Sequence, residues 1–194
     1  MVDFKDKTVA VVGSSGHLLE RNYSQLIDSH DVVLRFNQAR VEGFEDYVGS
    51  KTTHRIVNTH TFLGVTGNDR FPKNDSMFIP KLQNQFIIIN RPVPSTQIKL
   101  RSPNNPVSII SDEFWKFSRE ALNNIKDPSV GFLGVMLAVQ TANKVNVFGF
   151  DQENTTEKKH YWEEVRALGS FHNFNIEKTI FSKLENDKLI TIFK

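Results

Sequence analysis

The chain of 194 residues contains no cysteine. That removes disulfides, thiol nucleophiles and cysteine-ligated zinc from consideration. It also points to a reducing compartment, so the expected location is cytoplasmic, or peripheral to a membrane. An excess of charge of one sign is missing too, since 24 Lys and Arg face 22 Asp and Glu and leave a net charge of +2. No global field is available to hold nucleic acid or an anionic bilayer, and any bound anion must be held by a local site. No apolar run approaches the roughly 20 residues that span a bilayer, and the opening Met-Val-Asp-Phe-Lys-Asp lacks a signal-peptide pattern. An integral membrane protein is therefore not expected.

What is present is an ordinary globular composition, 39% hydrophobic and 24% charged, in a length suited to one domain over residues 1–194. Short β-rich runs at Thr8–Val12, Asp31–Phe36, Arg55–Val57, Ser76–Ile79, Phe86–Ile89, Val107–Ile110, Val145–Gly149 and Leu189–Phe193 predict strands. Between them, Asp112 to Ile125 has helical spacing with Asp112 as a plausible cap. Ser129 to Ala142 is apolar nearly all round and predicts a deeply buried helix, and Ile176, Ile180, Phe181 and Leu184 mark an amphipathic one. Gly64 to Asn74 and Arg101 to Pro106 read as loops. This alternation predicts a Rossmann-like α/β/α sandwich around a mostly parallel sheet, whose ligands sit beyond the carboxyl ends of the strands.

Several segments at those ends can bear chemistry, and each has a structural alternative. Gly13-Ser14-Ser15-Gly16 lets backbone approach a ligand closely, or is a tight strand-to-helix turn. Pro128-Ser129-Val130-Gly131 opens the buried helix, leaving amides and the positive dipole end toward an anion, or is simply a helix cap. His160 and His172 can move protons near neutral pH, or are structural residues. Glu177, in the first turn of the last helix, either supports such a site or favours the dipole. His30, flanked by Asp28 and Asp31, either belongs to such a site or satisfies a turn, while Tyr161, Trp162 and most of the sixteen phenylalanines read as core or crevice wall.

In order along the chain, Ala10-Val-Val-Gly-Ser-Ser-Gly16, Asp28-Ser-His-Asp-Val-Val-Leu-Arg-Phe-Asn37, Val48-Gly-Ser-Lys-Thr-Thr-His54, Pro128-Ser-Val-Gly131, His160-Tyr-Trp-Glu163 and His172 with Glu177 resemble the sialylmotifs of animal-type sialyltransferases, glycosyltransferase family 29. The resemblance runs from about Val9 to the C-terminus and is least from His60 to Lys126. It implies the GT-A-like variant of the sandwich found in these enzymes. It implies that Gly13, Ser14, Ser15, Gly16 and Asn37 contact the cytidine monophosphate (CMP) part of a donor, together with Ser129, Val130 and Gly131. It makes His172 the general base and puts His160 near the donor phosphate, with Tyr161 and Glu177 in support. The family's asparagines are replaced at Ser14 and His17, and its Pro-Ser-Thr-Gly has lost a hydroxyl at Val130. Its disulfide would join the positions of Val9 and Ala142, and its membrane anchor and stem are not expected here.

The function implied is inverting transfer of a sialic acid from a CMP-sugar donor to a hydroxyl of a glycan or glycolipid acceptor. Kdo, another 2-keto sugar acid activated by CMP, is the alternative within this class. A non-catalytic nucleotide-sugar-binding module is the alternative outside it, and a hydrolase using the same crevice is a third. No cofactor is expected, because the CMP-sugar is a co-substrate. No metal is expected either: Asp-X-Asp, which many glycosyltransferases use to hold manganese on a nucleotide diphosphate, does not occur.

Overall fold

The computed structural model describes residues 2–64, 78–150, 160–162 and 172–194. In chain order it contains β1 (Thr8–Val12), a 3-10 turn (Gly16–Glu20), α1 (Ser24–Asp28), β2 (Val32–Phe36), α2 (Glu45–Val48), β3 (His54–Val57), α3 (Thr59–Leu63) and α4 (Phe78–Lys81). There follow β4 (Phe86–Ile89), α5 (Ser95–Arg101), β5 (Val107–Ile109), α6 (Asp112–Ala121), α7 (Val130–Thr141), β6 (Lys144–Phe148), α8 (Phe174–Asn186) and β7 (Thr191–Phe193). The seven strands form one sheet in the order β5-β4-β3-β2-β1-β6-β7. Every pairing is parallel, so the sheet expected to be mostly parallel is wholly so among the described strands.

That topology selects one place for a ligand. From β1 the chain winds outward through β2 to β5, then returns to lay β6 and β7 on the other side of β1. The order therefore reverses between β1 and β6, and the crevice at such a reversal lies beyond the strands' carboxyl ends. Val12 and Phe148, the last residues of β1 and β6, are register partners, so both loops leave the sheet at one level.

Alternation along the strands builds the layers. Val9, Val11, Leu34, Ile56 and Ile88 join one apolar cluster with Phe114 of α6, Phe132 to Ala138 of α7 and Phe181 of α8. Ala10, Val12, Val33 and Phe148 point the other way, against Leu18, Ile27, Val48 and Tyr161. Farther out, Val57, Ile87 and Ile89 cover Phe62 and Ile79. The all-apolar stretch of α7 is buried from Phe132 to Ala138, and each large side chain so buried contributes about 1.5–3 kcal/mol. Val9 and Ala142, the positions the family would join by a disulfide, both belong to the first cluster, where small apolar side chains suit the surroundings.

Three expectations are corrected. Residues 78–81 form the helical turn α4 rather than part of a strand over 76–79, of which 76 and 77 lie outside the described residues. Pro80, without an amide hydrogen, suits an opening helical turn better than a sheet ladder. The cap of α6 is Ser111, whose side chain accepts from the Phe114 amide, rather than Asp112. That helix also ends at Ala121 instead of Ile125, because Asn123 and Asn124 take left-handed φ values of 55° and 58°.

Two arginines are buried side by side on β2 and β3, where Arg35 and Arg55 are register partners. Burial holds both below the usual guanidinium range, and the charge of Arg35 adds to the effect on Arg55, which falls to about 9. Each Nε donates to a side chain, Arg35 to the Thr52 hydroxyl and Arg55 to Gln85 Oε1, both at 2.9 Å, and the terminal nitrogens reach main chain. Arg35 donates to the carbonyls of Val48, Gly49 and Lys51, while Arg55 donates to those of Asn37 and Ala39. The pair thus fixes the loops that follow β2 and precede β3.

Candidate active site at the switch point

The loop after β1 is zipped to the loop after β6. The Gly13 amide donates to the Phe148 carbonyl at 2.7 Å and the Ser15 amide to the Gly149 carbonyl at 3.1 Å. Alternation then leaves the amides of Ser14 and Gly16 without a backbone partner among the described residues. Phe150 closes the seam from below. A Cβ on Gly13 would come 2.9 Å from Phe150 Cδ2, and one on Gly131 would come 2.9 Å from Phe150 Cε1. Only glycine fits at either place, so the β1 loop and the start of α7 meet across one phenylalanine ring. Asn37, at the end of β2, adopts φ 44°, which asparagine tolerates. Its Oδ1 accepts from the Asn58 amide at 3.0 Å, and its Nδ2 has no hydrogen-bond partner among the described residues.

Residues 160–162 dock on this loop. The Tyr161 amide donates to the Ser14 carbonyl at 2.9 Å, and the Tyr161 hydroxyl donates to the Arg40 carbonyl. Burial pushes that phenol up to about 12, against the opposing pull of Arg35 and Arg55. Tyr161 is therefore a neutral strut at physiological pH rather than a proton source. Its neighbour His160 lies flat on Trp162, with centroids 4.6 Å apart and planes 4° from parallel.

The other wall is the start of α7. Ser129 caps the helix by accepting from the Phe132 amide at 3.0 Å. The Ser129 amide and hydroxyl are themselves taken by Glu177, whose Oε1 accepts the first at 2.9 Å and Oε2 the second at 2.8 Å. Burial raises the Glu177 carboxyl above its ordinary range, while the Ser129 bonds and the nearby His172 charge oppose the rise. A carboxylate from α8 thus occupies the Ser129 donors, and the amides of Val130 and Gly131 remain at the helix start without a protein partner among the described residues.

His172 is tied to the same turn, with its Nδ1 2.9 Å from the Asp127 carbonyl oxygen. A carbonyl only accepts, so Nδ1 carries the proton and Nε2 holds the lone pair of the neutral ring. His160 is thus tied through its neighbour Tyr161 to the β1 loop, and His172 through the Asp127 carbonyl to the turn before α7.

The remaining histidines of these segments are structural or peripheral. His30 is buried, with Nδ1 on the Leu26 carbonyl at 2.8 Å and Nε2 against Asn146 Nδ2 at 2.9 Å. His54 stacks on Phe86, and burial lowers it to about 4. His17 pairs with Glu20 at 2.9 Å. Phe150 and Asp127 escaped the sequence reading. The one signal for Phe150 is its place just after the glycine that follows β6, and for Asp127 its place before Pro128.

The model of Glycosyltransferase family 29 (sialyltransferase) matches residues 4–189. The chain belongs to this family. It is similar to CMP-N-acetylneuraminate-beta-galactosamide-alpha-2,3-sialyltransferase 1 of Gallus gallus, with 33% identity covering 98% of this chain and 59% of that protein. Its similarity to the enzyme of the same name from Homo sapiens is 32% over 95% of this chain and 58% of that protein. The chain thus spans under two thirds of the length of these relatives. It also superimposes on the crystal structure of a mammalian sialyltransferase in complex with Gal-beta-1-3GalNAc-ortho-nitrophenol, with a TM-score of 0.71, 29% identity, and coverage of 97% of this chain and 70% of that one.

Proposed function

We propose that this chain is an inverting sialyltransferase catalytic domain, moving a sialic acid from CMP-sialic acid to a hydroxyl of a galactoside-bearing glycan or glycolipid. The observation that carries the reading is the contact of His172 Nδ1 with the Asp127 carbonyl at the turn before α7, which makes Nε2 the basic nitrogen of the neutral ring. His172 Nε2 takes the proton of the acceptor hydroxyl as its oxygen attacks the anomeric carbon through an oxocarbenium-like state. His160 and the Val130 and Gly131 amides stabilise the departing phosphate, while Ser14, Gly16 and Asn37 hold the nucleotide. General base catalysis of this kind supplies about 10²–10⁴-fold, and fixed donors at the leaving group add to it.

The reaction is proposed to run without a metal, since a donor with one phosphate presents less charge than a nucleotide diphosphate. Cytoplasmic placement, or attachment at a membrane face, is part of the proposal and is supported by the absence of cysteine and the apolar Val9 and Ala142. A second reading, a module that binds the nucleotide sugar without transfer, is favoured by Ser14, His17 and Val130 and by the engagement of Ser129 with Glu177.

One assay separates these. Purified protein is incubated with CMP-sialic acid, CMP-Kdo or CTP, with and without β-galactosides, and CMP is followed. Acceptor-stimulated release from CMP-sialic acid is the expected result. Release unaffected by acceptor would indicate a hydrolase, and binding without release would establish the module.

A further inference from the structure

The turn that holds His172 is gripped from outside the crevice. Arg91, two residues beyond the end of β4, places Nη2 3.0 Å from Asp127 Oδ2. Arg119 of α6 approaches the other carboxylate oxygen, with Nε 3.8 Å from Oδ1. Both guanidinium groups lie over Trp115, one helical turn before Arg119, with Cζ 3.9 Å from the ring centroid for Arg91 and 5.6 Å for Arg119. The exit of β4 and the face of α6 therefore converge on the residue whose carbonyl accepts the His172 Nδ1 proton.

An ion pair as exposed as Arg91 with Asp127, at 46% and 54%, does little alone. Stacking changes that, because a planar guanidinium laid on an indole is held in direction as well as place. Pro128 restricts the backbone of Asp127 from the other side. With its side chain clamped and its ψ confined, Asp127 can aim its carbonyl in few directions.

We propose that Arg91, stacked on Trp115, is a positioning residue for the general base. By holding the Asp127 side chain it points the Asp127 carbonyl at His172 Nδ1, which keeps the proton there and makes Nε2 the basic nitrogen of the neutral ring. Arg119 supports the same carboxylate. The proposal rests on the reading of His172 as the base.

The test joins two readouts on the full chain, imidazole nitrogen shifts by NMR and steady-state CMP release. In the wild type His172 is protonated on Nδ1. Arg91→Met is expected to mix the two tautomers and to lower kcat about tenfold, with KM for CMP-sialic acid unchanged. Arg91→Lys, which restores charge but not the planar stack, should fall between. A thermal midpoint that drops while tautomer and kcat stay at wild-type values would overturn the proposal, since Arg91 would then be only structural. Should Arg91→Met not fold, Asp127→Ala keeps the carbonyl and removes the grip, and an unchanged tautomer there overturns it equally. A fully active His172→Ala would defeat the reading of the base, while the tautomer in Arg91→Met still reports whether Arg91 aims the ring.

Discussion

Glu177 and Ser129 face each other across 48 residues of chain, with both carboxylate oxygens of Glu177 on Ser129, one on its amide at 2.9 Å and one on its hydroxyl at 2.8 Å. The contact ties α8, which begins just after His172, to the start of α7, and so joins two of the family's segments through one carboxylate.

Removing that carboxylate should be costly. Glu177→Ala leaves two buried donors unpaired and should lower the unfolding free energy by about 1.5–3 kcal/mol in denaturant titrations. The pH dependence has a definite sign. Burial raises the folded-state carboxyl above its ordinary value, so the folded protein holds the proton more tightly than the unfolded chain does. The associated stability is fully present below the ordinary carboxylate range and is lost as pH rises through the raised value. Glu177→Gln, which mimics the protonated form, should show a flatter stability profile from about pH 4 to 7 than the wild type. Equal slopes would contradict the assignment.

The Phe150 seam predicts a coupled pair. Gly131→Ala brings a methyl group against the Phe150 ring and should destabilise by about 1–3 kcal/mol. Phe150→Leu in the same protein should recover part of the loss, giving a coupling energy of about 0.5–3 kcal/mol in a double-mutant cycle. Simple additivity would mean that the two residues do not touch.

Tyr161→Phe removes the donor to the Arg40 carbonyl while keeping the amide bond to Ser14. The variant should lose about 1–3 kcal/mol of stability and keep the wild-type pH–rate profile, since a phenol pushed up to about 12 is neutral throughout. A profile that loses its alkaline limb would instead make Tyr161 a titrating participant.

The strands were legible because runs such as Phe86-Ile-Ile-Ile89 have few alternatives to a buried parallel sheet. The buried helix α7 was legible because it is apolar on every side. The helices α1, α2, α3 and α5 were not, since turns of four to seven residues carry too little periodicity to read. The site followed the same division. Glycines, Ser129 and the histidines stand in recognisable local patterns. The grip of Glu177 on Ser129, the wedge of Phe150 between Gly13 and Gly131, and the Asp127 carbonyl on His172 are contacts between distant residues that no local spacing encodes. The Glu177 contact in particular changes the expected role of Ser129, leaving the amides of Val130 and Gly131 for an anion.

The most direct test of the account is His172→Ala, measured for CMP-sialic acid binding by calorimetry and for acceptor-dependent CMP release in the same preparation. Donor affinity should stay near that of the wild type while release falls by about 10²-fold or more. Wild-type release from the variant would show that His172 is not the base.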